Sequence, residues 1–150
     1  MRVVIQRVKK ATLNIDDAFY SGIKRGLLVL VGITRDDTLE DIKWLAAKIS
    51  KLRIFDDDSG KMNLSVKDIG GEIMVVSQFT LFASTKKGNR PSYINSAPPD
   101  IAIPLYDEFV AKIKEESGLK VATGSFGAYM EIELINDGPV TISIDTKAKE

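Results

Sequence analysis

A chain of 150 residues, 44% hydrophobic and 28% charged, has the length and balance of one soluble globular domain that can bury a proper core. Its 21 basic and 21 acidic side chains cancel, so no bulk attraction to nucleic acid is indicated and any RNA contact must come from a local patch. It has neither cysteine nor histidine. That excludes a disulfide framework, a thiolate nucleophile, Ser-His-Asp and Cys-His systems, and the usual zinc site. If the chain is an enzyme, its proton transfers use carboxylates, lysines, hydroxyls, water or the substrate, and no metal or other cofactor is expected. Met1–Val8 is too short for a signal peptide and is already polar at Gln6 and Arg7. The apolar run Gly26–Ile33 is far too short to span a bilayer. A cytoplasmic protein with no membrane partner is the expectation.

Arg2–Ile15 alternates loosely, with Val3, Ile5, Leu13 and Ile15 as its apolar members, and reads as strand, turn, strand. Asp16-Asp17 supplies a turn. Arg7, a cation inside the first strand, is either a solvated edge residue or a placed ligand-holder. Ser21-Gly22 breaks the chain, and Gly26–Ile33 reads as a strand buried on both faces. Asp36 or Asp37 then caps a helix, and Glu40 stands three residues after Asp37 at capping-box spacing. Leu39, Ile42, Leu45, Ala46 and Ile49 form its stripe, bordered by Trp44. Asp56-Asp57-Asp58-Ser59-Gly60 fits no calcium-loop frame, because Lys67 stands where the bidentate Glu belongs, and is read as a turn.

Ile73–Val76 is a β-branched run of strand length entered through Gly70-Gly71. It ends in Ser77-Gln78-Phe79-Thr80, three hydrogen-bonding side chains at the end of an apolar element. Strand alternation would send Ser77, Phe79 and Leu81 to one face and Gln78 and Thr80 to the other. Such a strand end is either a site or simply a strand leaving the core. Ala83–Pro99 is the least regular stretch; Lys86, Lys87, Arg90 and Tyr93 make it either a phosphate- and base-holding segment or a solvated loop. Pro98-Pro99-Asp100 opens a second helix with the stripe Ile103, Tyr106, Phe109, Val110 and Ile113, and Ser117-Gly118 ends it. Pro104 is placed near the first turn, where it is tolerated. The tail reads as a hairpin: Met130, Ile132 and Leu134, a turn at Asn136-Asp137-Gly138-Pro139, then Val140, Ile142 and Ile144. Pro139 marks a turn or an edge, and its peptide bond can be cis. Lys147–Glu150 is expected to fray.

Two segments act together. Ser77-Gln78-Phe79-Thr80-Leu81 and Asn136-Asp137-Gly138-Pro139-Val140-Thr141 resemble the signature motifs of the D-aminoacyl-tRNA deacylase family, also called D-tyrosyl-tRNA(Tyr) deacylase. Gln6-Arg7-Val8, Gly60–Leu64, Arg90-Pro91-Ser92 and Gly124–Ala128 are similar to further segments of that family, so the likeness covers almost the whole chain. The resemblance implies a single α/β domain, residues 1–150, with a mostly antiparallel sheet curled toward a barrel and covered by two main helices. It implies a homodimer that hydrolyses the ester between a D-amino acid and the terminal adenosine of tRNA. The expected partners are thus the tRNA 3′ acceptor end and a second copy of the chain. Ser77, Gln78, Phe79 and Thr80 match the catalytic positions. Gly138, Pro139, Arg7, Met130 and Phe126 match substrate-binding ones. Gly138-Pro139 is expected to carry a cis bond and to reach into the partner's pocket, held by Arg7.

The residue chemistry is compatible with that picture. An aminoacyl ester is already labile, so no strong base is required. Backbone N–H groups near Phe79 and Thr80 could stabilise an oxyanion, an effect of about 3–4 kcal/mol per donor. Thr80 has no basic partner to activate it and is read as a water-positioning residue, with the substrate's ribose hydroxyl assisting. Chirality would be read by collision of an L side chain with the Gly138-Pro139 carbonyls, so glycyl-tRNA mischarged on tRNA(Ala) would also be accepted. Two other readings remain. One is a non-catalytic nucleic-acid-binding protein of the same fold, using Lys86, Lys87 and Arg90. The other is a small-molecule esterase using Thr80 or Ser77.

Overall fold

The computed structural model of the chain describes residues 1–149. β1 (Arg2–Ile15) is one continuous strand, not a strand, turn and strand. Its loose alternation comes from irregular pairing between Gln6 and Ala11, where Lys9 and Lys10 face solvent. The turn follows it, with Asp16 and Asp17 at φ of 51° and 60°, a left-handed conformation that Asp tolerates. β2 (Ala18–Ile23) runs straight through Ser21-Gly22, which pair with Leu13 and Thr12, so the expected break there is absent. β3 (Gly26–Gly32) is buried on both faces, as its sequence suggests.

Helix α1 (Leu39–Lys51) starts one residue later than the Asp pair implied. Thr38 is the N-cap, and its box partner is Asp41 rather than Glu40. Asp37 is engaged elsewhere: its buried carboxylate takes the Met1 amino group and the Thr34 N–H. β4 (Phe55–Asp56) and β5 (Met62–Leu64) form a separate two-stranded hairpin. The acidic run at its tip is a turn, with Asp57 Oδ1 accepting from Ser59 N, Ser59 Oγ and Lys61 N. β6 (Glu72–Ser77) is followed by a 3-10 turn over Phe79–Phe82.

Helix α2 (Pro99–Ser117) ends at Gly118, at φ 66°. Its buried stripe contains Ala102, Tyr106, Phe109, Val110 and Ile113, while Ile103 is turned outward. Pro104 lies in the second turn, on the exposed side. β7 (Val121–Thr123) and β8 (Met130–Asp145) complete the chain. β8 is not a hairpin. Residues 130–136 pair with β1 from Ile15 back to Val8, and residues 141–145 continue on the same strand from Gln6 to Arg2. Asp137–Val140 therefore form a bulge in one long strand, because a single β1 residue, Arg7, faces all four.

β1 is flanked by β2 and β3 on one side and β8 on the other, all antiparallel. β3–β6 and β6–β7 are parallel, and the long connections carrying α1 and α2 make those crossovers possible. The sheet is mostly antiparallel around β1 and curls until it nearly closes. Met130 Sδ and Leu13 crowd the backbone at Gly124, between β7 and β8, leaving no space there for a side chain.

This curl gives the sheet two apolar faces. One carries Val3, Ile5, Leu27, Val29, Ile73 and Val75 against α1 and α2. The other folds on itself around Leu13, Leu28, Met74 and Val76. That is why β3 and β6 read as uninterrupted hydrophobic runs. Among the described residues, no helix is long and apolar enough to cross a membrane.

Candidate active site

The parallel ladder between β3 and β6 ends where Gln78 N donates to Val31 O at 2.7 Å. Beyond Ser77 the strand alternation expected from sequence does not continue, because the chain winds into the 3-10 turn. Gly32 allows this: a Cβ there would lie 3.1 Å from Gln78 O and 3.0 Å from the Phe82 ring. Leu81 N bonds to Gln78 O and Ala83 N to Thr80 O. The first two amides of the turn, Phe79 and Thr80, are left without an acceptor among the described residues. The Gln78 side-chain amide meets Thr80 Oγ1 at 2.5 Å.

Both ends of this turn are held. Ser96 Oγ donates to Phe79 O at 2.8 Å, and the Tyr93 ring meets the Phe79 ring edge-on at 4.9 Å. At the other end Arg2 Nη1 donates to Leu81 O at 2.7 Å, and its guanidinium lies 4.6 Å above the Phe82 ring. The same guanidinium binds Asp145 at the end of β8 through Nε and Nη2.

Beside the turn opens a cleft of about 270 Å³. Ser77, Gln78 and Phe79 form one wall, the segment Phe126–Met130 forms another, and Val31, Val76 and Ile132 line its depth. Phe126 packs edge-on against Tyr106, whose hydroxyl donates to Val75 O at 2.8 Å. Burial pushes the Tyr106 phenol well above its ordinary value, so it is a neutral structural donor. A mostly apolar cleft with a few polar groups along one lip suits a partly apolar small ligand or ligand end.

The β8 bulge forms a second cluster. Arg7 is buried, which removes the solvated-edge alternative. Its Nε donates to Asp137 O at 2.9 Å and its Nη1 to Ile54 O at 2.7 Å. The carboxylates of Asp56 and Asp137 lie 3.5 Å away, supplying compensating charge. Asn136 closes the base of the bulge, accepting from Val140 N and donating to Thr141 Oγ1, each at 3.0 Å. Gly138 and Pro139 project into solvent, Gly138 at φ 137° and with a cis bond between them.

Of the nine site residues expected from sequence, Ser77, Gln78, Phe79, Phe126 and Met130 meet around the cleft, and Thr80 lies next to it on the turn. Arg7, Gly138 and Pro139 assemble at the bulge, and none of them lines the cleft. Sequence reasoning missed Arg2, which reads as an ordinary strand-edge cation. It also assigned no role to Asn136, although an Asn four residues before the N–H it caps is a recognisable local pattern. No long-range signal marked Tyr93 and Ser96 as supports of Phe79.

Three comparisons with known proteins bear on this arrangement. Residues 4–145 match the model of a family described as D-Tyr-tRNA(Tyr) deacylase. The chain is 62% identical over 150 residues to a D-aminoacyl-tRNA deacylase of Flavobacterium psychrophilum, covering all of both chains. A protein of the same name from Chlorobaculum parvum is 55% identical over 149 residues, 99% of this chain and 100% of that one. Among solved structures, one titled c-Myc DNA Unwinding Element Binding Protein superposes with a TM-score of 0.90 at 39% identity, over 97% of this chain and 98% of that one. A probable eukaryotic D-amino acid tRNA deacylase shares the fold, with a TM-score of 0.82 at 19% identity, over 95% and 97% of the two chains.

Proposed function

Because the chain belongs to the D-Tyr-tRNA(Tyr) deacylase family, we propose that it hydrolyses the ester of D-aminoacyl-tRNA, releasing the free D-amino acid and tRNA. The observation that carries this reading is the pair of unpartnered amides, Phe79 and Thr80, at the edge of the cleft. The terminal adenosine enters the cleft against Phe126 and Met130. Water adds to the ester carbonyl, and the oxyanion is received by the two amides, each worth about 3–4 kcal/mol. Thr80, oriented by Gln78, positions the water. The neighbouring ribose hydroxyl assists the proton transfer, and collapse of the intermediate expels the tRNA oxygen. This route needs no histidine.

The protein acts as a homodimer in the cytoplasm. Two observations support the dimer: the Gly138-Pro139 bulge projects to solvent and does not line its own cleft, and among the described residues β8 pairs with no strand but β1. Two copies exchanging bulges would bring the Gly138 and Pro139 carbonyls to the substrate α-carbon. An L side chain would collide there, whereas hydrogen fits, so glycyl-tRNA is also a substrate.

A binding-only role is the second reading, favoured by the likeness at 39% identity to a c-Myc DNA Unwinding Element Binding Protein. Side-by-side assays with D- and L-tyrosyl-tRNA separate the two. Turnover of the D ester alone is the expected result. Binding of both tRNAs without hydrolysis would overturn the enzyme reading, and cleavage of simple esters without tRNA would favour an ordinary esterase.

A further inference from the structure

The segment leaving the 3-10 turn contains three cations, Lys86, Lys87 and Arg90, and from Ala83 to Pro99 no acidic residue. In a chain of zero net charge this is a local excess. All three side chains are exposed, and none is in an ion pair among the described residues. Other cations near the turn differ: Arg2 is neutralised by Asp145, and Lys147 by Asp41.

The loop is also anchored. Ser84 and Ser92 exchange backbone hydrogen bonds of 2.8 and 2.9 Å, closing the seven residues between them into a projecting tip. Its return strand is fastened to the cleft by Ser96 Oγ on Phe79 O and by Ala97 N on Ile33 O at 2.8 Å. Tyr93, 40% exposed and packed on Phe79, sits between the tip and the cleft. Free cations on an anchored loop, followed by an aromatic face beside a cleft, are the combination that holds a single-stranded nucleic acid by phosphate contact and base stacking.

We infer that this loop is the tRNA track. The strand leading to the esterified adenosine lies over Tyr93, and its phosphates engage Lys86, Lys87 and Arg90. The inference rests on the deacylase reading for the identity of the strand, and it assigns a path that the cleft itself does not.

The test compares wild type with K86A/K87A/R90A in two measurements. One is binding of uncharged tRNA across a salt series; the other is kcat/KM on D-tyrosyl-tRNA relative to D-tyrosyl-adenosine, which has no phosphate. Single-strand contacts contribute about 0.7 to the log–log salt slope each, so three should flatten it by about two. The ratio of the two kcat/KM values should fall at least about tenfold. An unchanged slope and ratio would place the strand elsewhere. An equal loss on both substrates would mean that the loop merely braces the turn. If wild type cleaves neither ester, the deacylase reading fails, and the salt slope still decides the phosphate track.

Discussion

Arg2 donates to the Leu81 carbonyl at 2.7 Å while its other edge holds the Asp145 carboxylate, so one side chain couples the turn bearing the free amides to the end of β8. Removing it should displace the Phe79 and Thr80 amides without emptying the cleft. Arg2→Ala is expected to lower kcat by about tenfold to a hundredfold, the scale on which small misplacements act, with KM changed much less. Arg2→Lys should recover only part of the loss, since an ammonium cannot span both acceptors with a planar fork. Steady-state kinetics on D-tyrosyl-tRNA check this; a pure KM effect would show that the coupling is not catalytic.

Gly138 sits at φ 137°, and a Cβ there would meet Val140 Cγ2 at 2.8 Å and Arg7 Nη2 at 3.1 Å. Gly138→Ala should therefore distort the bulge at a cost of about 1–3 kcal/mol. If the bulge reads chirality, the D-over-L ratio in single-turnover deacylation should fall more than the D rate does. Undiminished rejection of L-tyrosyl-tRNA by this variant would mean that some other group reads the stereocentre.

Arg7 binds the carbonyls of Asp137 and Ile54 from a buried position. Arg7→Ala strands both acceptors and should cost about 2–3 kcal/mol of stability, measurable as a lower urea midpoint. Arg7→Lys keeps the charge but loses the two-carbonyl fork, so it should fall between wild type and Ala. The D-over-L ratio should fall in Arg7→Ala too, by a smaller factor than in Gly138→Ala, because Asn136 still closes the bulge.

Thr80→Ala should slow hydrolysis by roughly a hundredfold through loss of water positioning, the lower end of the range for a single positioned group. No aminoacyl-threonine should accumulate in wild type. Trapping such an ester by acid quench would establish a nucleophilic Thr80. A substrate ending in 2′-deoxyadenosine should react much more slowly if the ribose hydroxyl assists, and at the normal rate if it does not.

Burial alone would raise the Asp41 carboxyl, but hydrogen bonds from Lys147, Thr146 and Thr38 outweigh it and hold Asp41 well below the usual carboxylate range. The Asp41 partner raises Lys147 above its ordinary value, against a smaller opposing effect of burial. A depressed carboxyl stabilises the fold above its unfolded value near 3.8, and that stability is lost as pH falls toward the folded value. A raised ammonium contributes below about 10.5 and loses its contribution at higher pH. Asp41→Asn should thus be less stable at pH 7 by about 1–3 kcal/mol, and its stability should fall less than that of wild type between pH 4 and pH 2. Urea titrations at these pH values test both statements.

The sequence alone determined what acts over short range. Apolar periodicity placed β3, β6 and both helices, since one buried face repeats every two or 3.6 residues whatever the final topology. The absence of histidine and cysteine narrows the chemistry whatever the fold. Residue chemistry by itself left Ser77–Thr80 as a site or a strand leaving the core and Gly138-Pro139 as a turn, and the resemblance to family motifs singled both out. Tertiary structure decided what depends on partners far along the chain. Alternation on both sides of Asn136–Pro139 looked the same for a hairpin as for one strand with a bulge, and only pairing with β1 distinguished them. Thr38 became the cap because Asp37 was taken by Met1 and Thr34. The strand pattern ended at Ser77 because Gly32, forty-five residues earlier, left space for the chain to wind into a turn. Arg2 and Arg7 acquired their roles in the same way. A cation in a strand has no local signature of its acceptors, and these acceptors lie 79 and 130 residues away along the chain.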